Sequence, residues 1–137
     1  MSAFRSVLSS RALVVTAWMA VALLCNACDG WTLDYGTPAA QFEARDARHF
    51  AGDYRGRKVT VRGVVSAVDV SEPTRCVVTL EHGVVGLFGA RRAAAEEYAV
   101  GATVYLDGIV ASVDATTVTL EPATGRDPTA RYEPLER

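Results

Sequence analysis

Three cysteines, two histidines and one run of cations are the residues of this 137-residue chain whose types could do chemistry. Cys25 and Cys28 have the spacing of a dithiol or of half a zinc site. They close a long apolar stretch, however, and do not open a helix behind a strand, where redox pairs stand. Cys76 lies among β-formers and reads as a small buried hydrophobe. His49 and His82 have no cysteine or second histidine at metal-ligand spacing. His49 reads as a flanking helical residue, and His82, before Gly83, as part of a hairpin turn. No glycine-rich phosphate loop, nucleophile elbow or zincin helix is written in the chain. The expectation is therefore a binding protein, not an enzyme, with no cofactor and no metal. The polar residues left to make contacts are Asp69, Glu72, Arg75 and Asp114 in turn-rich segments. Phe88 is the one aromatic in a short strand between them, and Arg55, Arg57, Lys58 and Arg62 form a candidate basic patch.

Charge weighs against a polyanionic partner. The chain holds 14 basic and 16 acidic residues. Removing residues 1–27 takes away Arg5 and Arg11 and no acid, so 12 cations face 16 anions, a net charge of -4. Non-specific affinity for nucleic acid comes from neutralising phosphates with Lys and Arg, which an acidic domain does poorly.

The N-terminus reads as an export signal. Arg5 and Arg11 make a positive start, residues 12–24 are apolar except for Thr16, and no acid precedes Asp29. The stretch is shorter than the roughly 20 residues a membrane span needs, and suits a secretory core. It ends in Cys25-Asn26-Ala27-Cys28, which resembles the lipobox of bacterial lipoproteins. The resemblance implies cleavage after Ala27 and a lipid on Cys28; Cys25 and Asn26 depart from its usual residues. Cleavage without lipidation and a retained anchor stay open as alternatives. Asp29 behind the cysteine resembles the signal for retention at the inner membrane. Residues 1–28 are thus a leader and 29–36 a tether.

The positioning elements follow. Thr37-Pro38 has the cap and first-turn chemistry of a helix start, and the spacing predicts a leading helix over 38–51, closed by Gly52. From Lys58 onward strand signals dominate. Val59 to Val65 alternates and then meets Gly63; Val104 to Val110 repeats the design around Gly108. A glycine inside a strand marks a bulge or sharp coil, and two of them bend a small sheet until it closes. Between these runs lie strands Cys76–Glu81 and Val84–Phe88, then helix-forming Ala90–Ala99. A last strand, Thr117–Glu121, is predicted to stop at Pro122. The tail 123–137, poor in apolar periodicity, is predicted to be disordered.

The order of strand, strand, strand, helix, strand, strand is that of the OB-fold, a five-stranded Greek-key barrel with a helix between strands three and four. The domain spans 37–122. The stretch from Ala51 to Val65, with Tyr54, Gly56, Lys58, Val59, Val61 and Gly63, resembles the opening of the bacterial tRNA_anti-like family of exported OB-fold domains. Val78-Thr79-Leu80 and Gly101 to Gly108 resemble its second and fourth strands, with Ala102 in place of the usual Asp. The resemblance covers roughly residues 38–122 and implies the fold more than the activity.

The functional expectation is a non-catalytic module of the cell envelope, facing the periplasm or cell exterior, that binds a protein, glycan or small ligand. Its contact surface, by fold analogy, is the face of strands two and three with the loops Val70–Arg75 and Ala111–Thr116. One alternative is a single-stranded nucleic-acid-binding OB-fold protein, against which the missing aromatic platform on strands two and three weighs. Another is an assembly component whose barrel edge pairs with a partner strand.

Overall fold

Alternation of apolar and polar residues decides which side of each strand faces inward, and six strands result among the described residues. In the computed structural model, residues 37–126 and 129–137 are described; the predicted leader and tether lie outside the described residues. The strands are β1 (Ala40–Glu43), β2 (Lys58–Asp69), β3 (Cys76–Leu80), β4 (Val84–Gly89), β5 (Thr103–Val113) and β6 (Val118–Gly125). The long β2 serves two antiparallel partners. Lys58–Val64 pairs with β5, and Val65–Asp69 pairs with β3. β3 pairs antiparallel with β4, β4 parallel with β6, and β6 antiparallel with β5. The β2–β5 ladder closes the ring, giving a five-stranded mixed barrel of OB type with strand order β2-β3-β4-β6-β5.

The expected bends fall at or near the two glycines. Register shifts interrupt β2 between Val65 and Ala67, and β5 between Gly108 and Val110. Both glycines lie where neighbouring chain crosses closely. A Cβ on Gly63 would stand 2.7 Å from the Cβ of Ala44, and one on Gly108 2.7 Å from the Cβ of Leu120.

Inward-facing residues fill the barrel: Val59, Val61 and Val65 of β2, Val78 and Leu80 of β3, Val84 and Phe88 of β4, Leu106 and Val110 of β5, Val118 and Leu120 of β6. Cys76 is free and fully buried, as expected of a small hydrophobe. The helix between β4 and β5, α2 (Arg92–Glu96), is shorter than the Ala90–Ala99 composition suggested. Its N-cap, Arg91, makes no side-chain capping bond. Beyond its end, Tyr98 turns edge-on to Phe88, ring centroids 5.6 Å apart, and plugs that end of the core.

Three sequence expectations are corrected. The leading helix over 38–51 begins as a strand. Ala40, Phe42 and Ala44 are buried and alternate with Gln41 and Glu43, and β1 pairs parallel with β2 from Ala40↔Val59 to Glu43↔Arg62. The cause is tertiary: β3 occupies only the second half of that edge of β2, so the first half needs a partner. Helical turns follow only from Ala44 to Tyr54, with α1 (Ala47–Phe50) between two 3₁₀ turns, and Gly52 lies inside the second of these.

Pro122, secondly, does not end the last strand. β6 runs on to Gly125, and Pro122 sits in the irregular step between the Val110↔Leu120 and Gly108↔Ala123 pairs, where no ladder N–H is required. The tail, thirdly, is not featureless among its described residues. Leu135 donates its N–H to the Gln41 carbonyl at 2.7 Å, and Glu133 donates to Gln41 Oε1 at 2.6 Å. The Tyr132 ring meets Tyr105 edge-on at 5.1 Å, with the Arg62 guanidinium 5.4 Å from its centre. The tail thus covers the outer edge of β1.

Two polar residues are buried among the described ones, Thr60 and Asp107. They bond to each other across the β2–β5 ladder, Thr60 Oγ1 donating to Asp107 Oδ1 at 2.5 Å. Lys58 lies 3.6 Å from Asp107 Oδ2, so the buried carboxylate is both hydrogen-bonded and charge-paired.

Candidate functional site

Phase along the strands places one set of side chains on the outside of β3 and β4. Val77 stands opposite Leu87 and Thr79 opposite Val85. Asp69 and Ala67 of β2 flank Val77 and Thr79, and Thr119 of β6 flanks Val85. Val77, Thr79, Val85, Leu87 and Thr119 are half-buried, and Ala67 and Asp69 are exposed. Glu81 and Glu121 continue the same outward phase beyond Thr79 and Thr119, and both are exposed. The face therefore has an aliphatic centre of Val77, Val85 and Leu87, three carboxylates around it, and no cation at any of these outward positions.

Phe88 is corrected from ligand contact to core. It is 1% exposed, met edge-on by Tyr98, with the Arg91 guanidinium 5.3 Å from its ring centre. Arg91 also donates to the carbonyls of Phe88 and Ala123, which locks it over the ring. In Val84-Val85-Gly86-Leu87-Phe88 either of the last two residues could face inward by hydropathy alone. The alternation from Val84 inward sends Phe88 in and Leu87 out, and Leu87, which the sequence reading passed over, is the large side chain on the face.

The loop residues frame this face from two ends. Asp69, Glu72 and Arg75 lie on or beside the β2–β3 loop, at the Cys76 end of β3. Asp114 lies on the β5–β6 turn, which abuts the β3–β4 turn at the other end: Val118 donates its N–H to the Gly83 carbonyl at 2.9 Å. They do not converge on one point. Asp69 Oδ1 accepts from the Ser71 hydroxyl at 2.6 Å and the Ser71 N–H at 3.0 Å, and these bonds hold its carboxyl below the usual range. Asp114 Oδ1 accepts from the Thr116 and Thr117 N–H groups at 2.9 and 2.8 Å, which lowers it likewise. Both carboxylates close turns by bonding backbone two or three residues on. Glu72 and Arg75 are exposed, and Glu72 accepts the Arg75 N–H through its carbonyl.

The basic run does not form a patch. Lys58 faces Asp107, and Arg62 bridges to Glu43 at 3.0 Å. Arg57 lies over the Tyr54 ring at 5.7 Å, and Arg55 donates to the Val113 carbonyl at 3.1 Å. Partners 19 and 49 positions away, invisible to local composition, take up the two strand cations. His82 stands in the β3–β4 turn with φ 70°, as the hairpin reading expected, and His49 packs edge-on to Phe50 at 4.8 Å. Among the described residues no group of three or more His, Cys, Asp or Glu is placed to hold a metal ion.

No protein-family model matches the chain, and no curated protein shows significant similarity to it. Among solved structures it is similar to a lipoprotein from Klebsiella pneumoniae, provisionally described as nucleic acid-binding. Identity is 24% and the TM-score 0.47, over 61% of this chain and 79% of that one.

Proposed function

We propose that this chain is a non-catalytic, lipid-anchored module of the cell envelope, of the tRNA_anti-like type, that holds an extended polypeptide segment on the outer face of β3 and β4. The observation carrying the reading is the chemistry of that face: Val77, Val85 and Leu87 at the centre, Asp69, Glu81 and Glu121 around them. A base needs an aromatic plane to stack on, and a phosphate backbone needs cations. The face offers neither. Aliphatic side chains flanked by Lys or Arg are what it complements, and a polypeptide supplies both. The export signal at residues 1–28, with Cys28 as the lipid attachment point, supports placing that partner in the envelope.

Fluorescence anisotropy with three labelled probes tests the reading: a Lys/Leu-alternating peptide, a Glu/Leu-alternating peptide and a single-stranded oligonucleotide. The expected result is binding of the Lys/Leu peptide that weakens with salt and is lost in Leu87→Asp. Preference for the oligonucleotide, or indifference to Leu87→Asp, overturns it.

A further inference from the structure

The seating of the tail shows how the outer edge of β1 reads a polypeptide. Gln41 takes up three backbone groups of the tail. Its carbonyl accepts from the Leu135 N–H at 2.7 Å, its Oε1 accepts from the Glu133 N–H at 2.6 Å, and its Nε2 lies 3.4 Å from the Arg131 carbonyl. These groups come from residues 131, 133 and 135, the two-residue period of a chain laid along a strand edge. Exposure follows the same period: Tyr132 and Pro134 are half-buried, whereas Arg131, Glu133 and Leu135 are exposed. Pro134 has no N–H to donate, and at its position in this pattern none is used. Proline also keeps the residue before it extended.

One side-chain seat adds selectivity to these backbone bonds. The Tyr132 ring lies edge-on to Tyr105 with the Arg62 guanidinium 5.4 Å from its centre. Arg62 is itself fixed by Glu43 at 3.0 Å, so the seat is built from barrel strands and not from the tail. The tail fills its place loosely. Arg126 adds one bond to the Arg131 carbonyl at 2.7 Å, yet an open cleft of about 880 Å³ remains between the tail and residues 37–41. Leu135 lines that cleft and is 37% exposed. A side chain facing open space forfeits the dispersion contacts of a packed one, so this occupant is replaceable.

We propose that the outer edge of β1 is a docking site for an extended segment of a partner polypeptide bearing an aromatic residue and, two positions on, a proline, and that residues 131–135 are its built-in competitor. A partner segment has to open one seated tail. A second copy of this chain has to open two, its own and its neighbour's, to fill one seat, and is the poorer donor. The inference is independent of the face on β3 and β4, which shares no residue with this edge.

The probe is a labelled peptide with the sequence of residues 130–136, Ala-Arg-Tyr-Glu-Pro-Leu-Glu, titrated by fluorescence anisotropy against the whole mature chain and its Glu133→Pro variant. That substitution removes the N–H that Gln41 accepts, on a residue outside every strand, and so unhooks the tail without touching the barrel. The peptide is expected to bind Glu133→Pro about fivefold tighter than the unmodified chain, the worth of one hydrogen bond in the tail's own closure. A peptide with Ala for its tyrosine is expected to bind about tenfold weaker. Amide NMR shifts should fall on Gln41, Phe42 and Arg62, and Leu87→Asp should leave this binding unchanged. No binding to Glu133→Pro, equal affinity for the two chains, indifference to the tyrosine, or loss in Leu87→Asp overturns the proposal. So does a dimer of the unmodified chain that Glu133→Pro abolishes, which makes a second copy the occupant. Tyr132→Ala, which frees the tail at its ring, provides a second unhooked chain for the same comparison.

Discussion

Replacing Gly108 by Ala tests the closure of the barrel directly. The added methyl would stand 2.7 Å from Leu120 Cβ and 3.1 Å from the Pro122 carbonyl oxygen. Neither atom is the free end of a flexible side chain; one is the first carbon of a core leucine and the other is backbone of β6. Relief therefore requires β5 and β6 to part by several tenths of an ångström along a ladder that spans Leu106 to Val113. Forcing a methyl into a packed site of this kind costs about 1–3 kcal/mol. For a domain near 100 residues each kcal/mol lowers the midpoint by about 4–8 °C. A loss of about 2 kcal/mol thus corresponds to a drop of about 8–16 °C. Gly52→Ala is the internal comparison. A Cβ there meets nothing within 4 Å, and its φ is not positive. Its expected effect is a gain of roughly 0.4–1 kcal/mol from the less flexible unfolded chain. Urea and thermal unfolding of the two variants, read by circular dichroism, should separate them by about 2–3 kcal/mol. Equal midpoints would mean that β5 and β6 do not approach at Gly108 as described, and the glycine account of curvature would be lost with that.

Other perturbations follow from the same geometry. Phe88→Ala empties the centre of the core and should cost about 3–5 kcal/mol in chemical denaturation while leaving peptide affinity per folded molecule unchanged; a selective loss of binding would return Phe88 to the site. Asp69 and Asp114 are both held below the ordinary aspartate value by turn hydrogen bonds. In the pH window just below about 4 the unfolded chain then binds more protons than the fold, so their contribution is present above the unfolded pKa and fades as pH falls through the folded one. The double variant Asp69→Asn/Asp114→Asn should flatten the acid limb of stability against pH; an unchanged slope contradicts the turn bonds. Tyr98 is displaced the other way, to about 12, first by burial and then by Glu97 and Asp107, with Arg91 opposing. Its neutral form is the one the fold favours, so its contribution holds below about 10 and is lost as pH rises toward 12. Tyr98→Phe should remove that alkaline step, seen as the loss of one late-ionising phenol in absorbance at high pH. Tyr132→Ala removes one ring from the Tyr105 and Arg62 contacts and should cost about 1–2 kcal/mol. It should also speed hydrogen exchange at the β1 amides, and unchanged exchange there would detach the tail from that edge.

Much of the barrel was legible in the chain because its information is local. The alternations in 59–65, 76–81 and 104–110 determine which residues point inward, and the glycines at 63 and 108 mark where two long strands come close to their neighbours. The turn chemistry of Asp69, Asp114 and His82-Gly83 is equally local. Even β1 was written there: Ala40, Phe42 and Ala44 alternate with Gln41 and Glu43, although the cap signal at Thr37-Pro38 favours a helix. What tipped that segment to strand was the unfilled half of the β2 edge, which exists only once β3 has paired with the other half.

The tertiary structure alone decided which polar residues remain available. Four cations within 55–62 read as a patch, yet folding brings Glu43 to Arg62 and Asp107 to Lys58. Likewise the tail's hold on Gln41 and the bond from Arg126 to Thr60 depend on barrel closure. Side-chain phase is set by neighbouring residues and survives in the linear chain. Charge pairing and edge occupancy arise between segments tens of residues apart, and no periodicity records them.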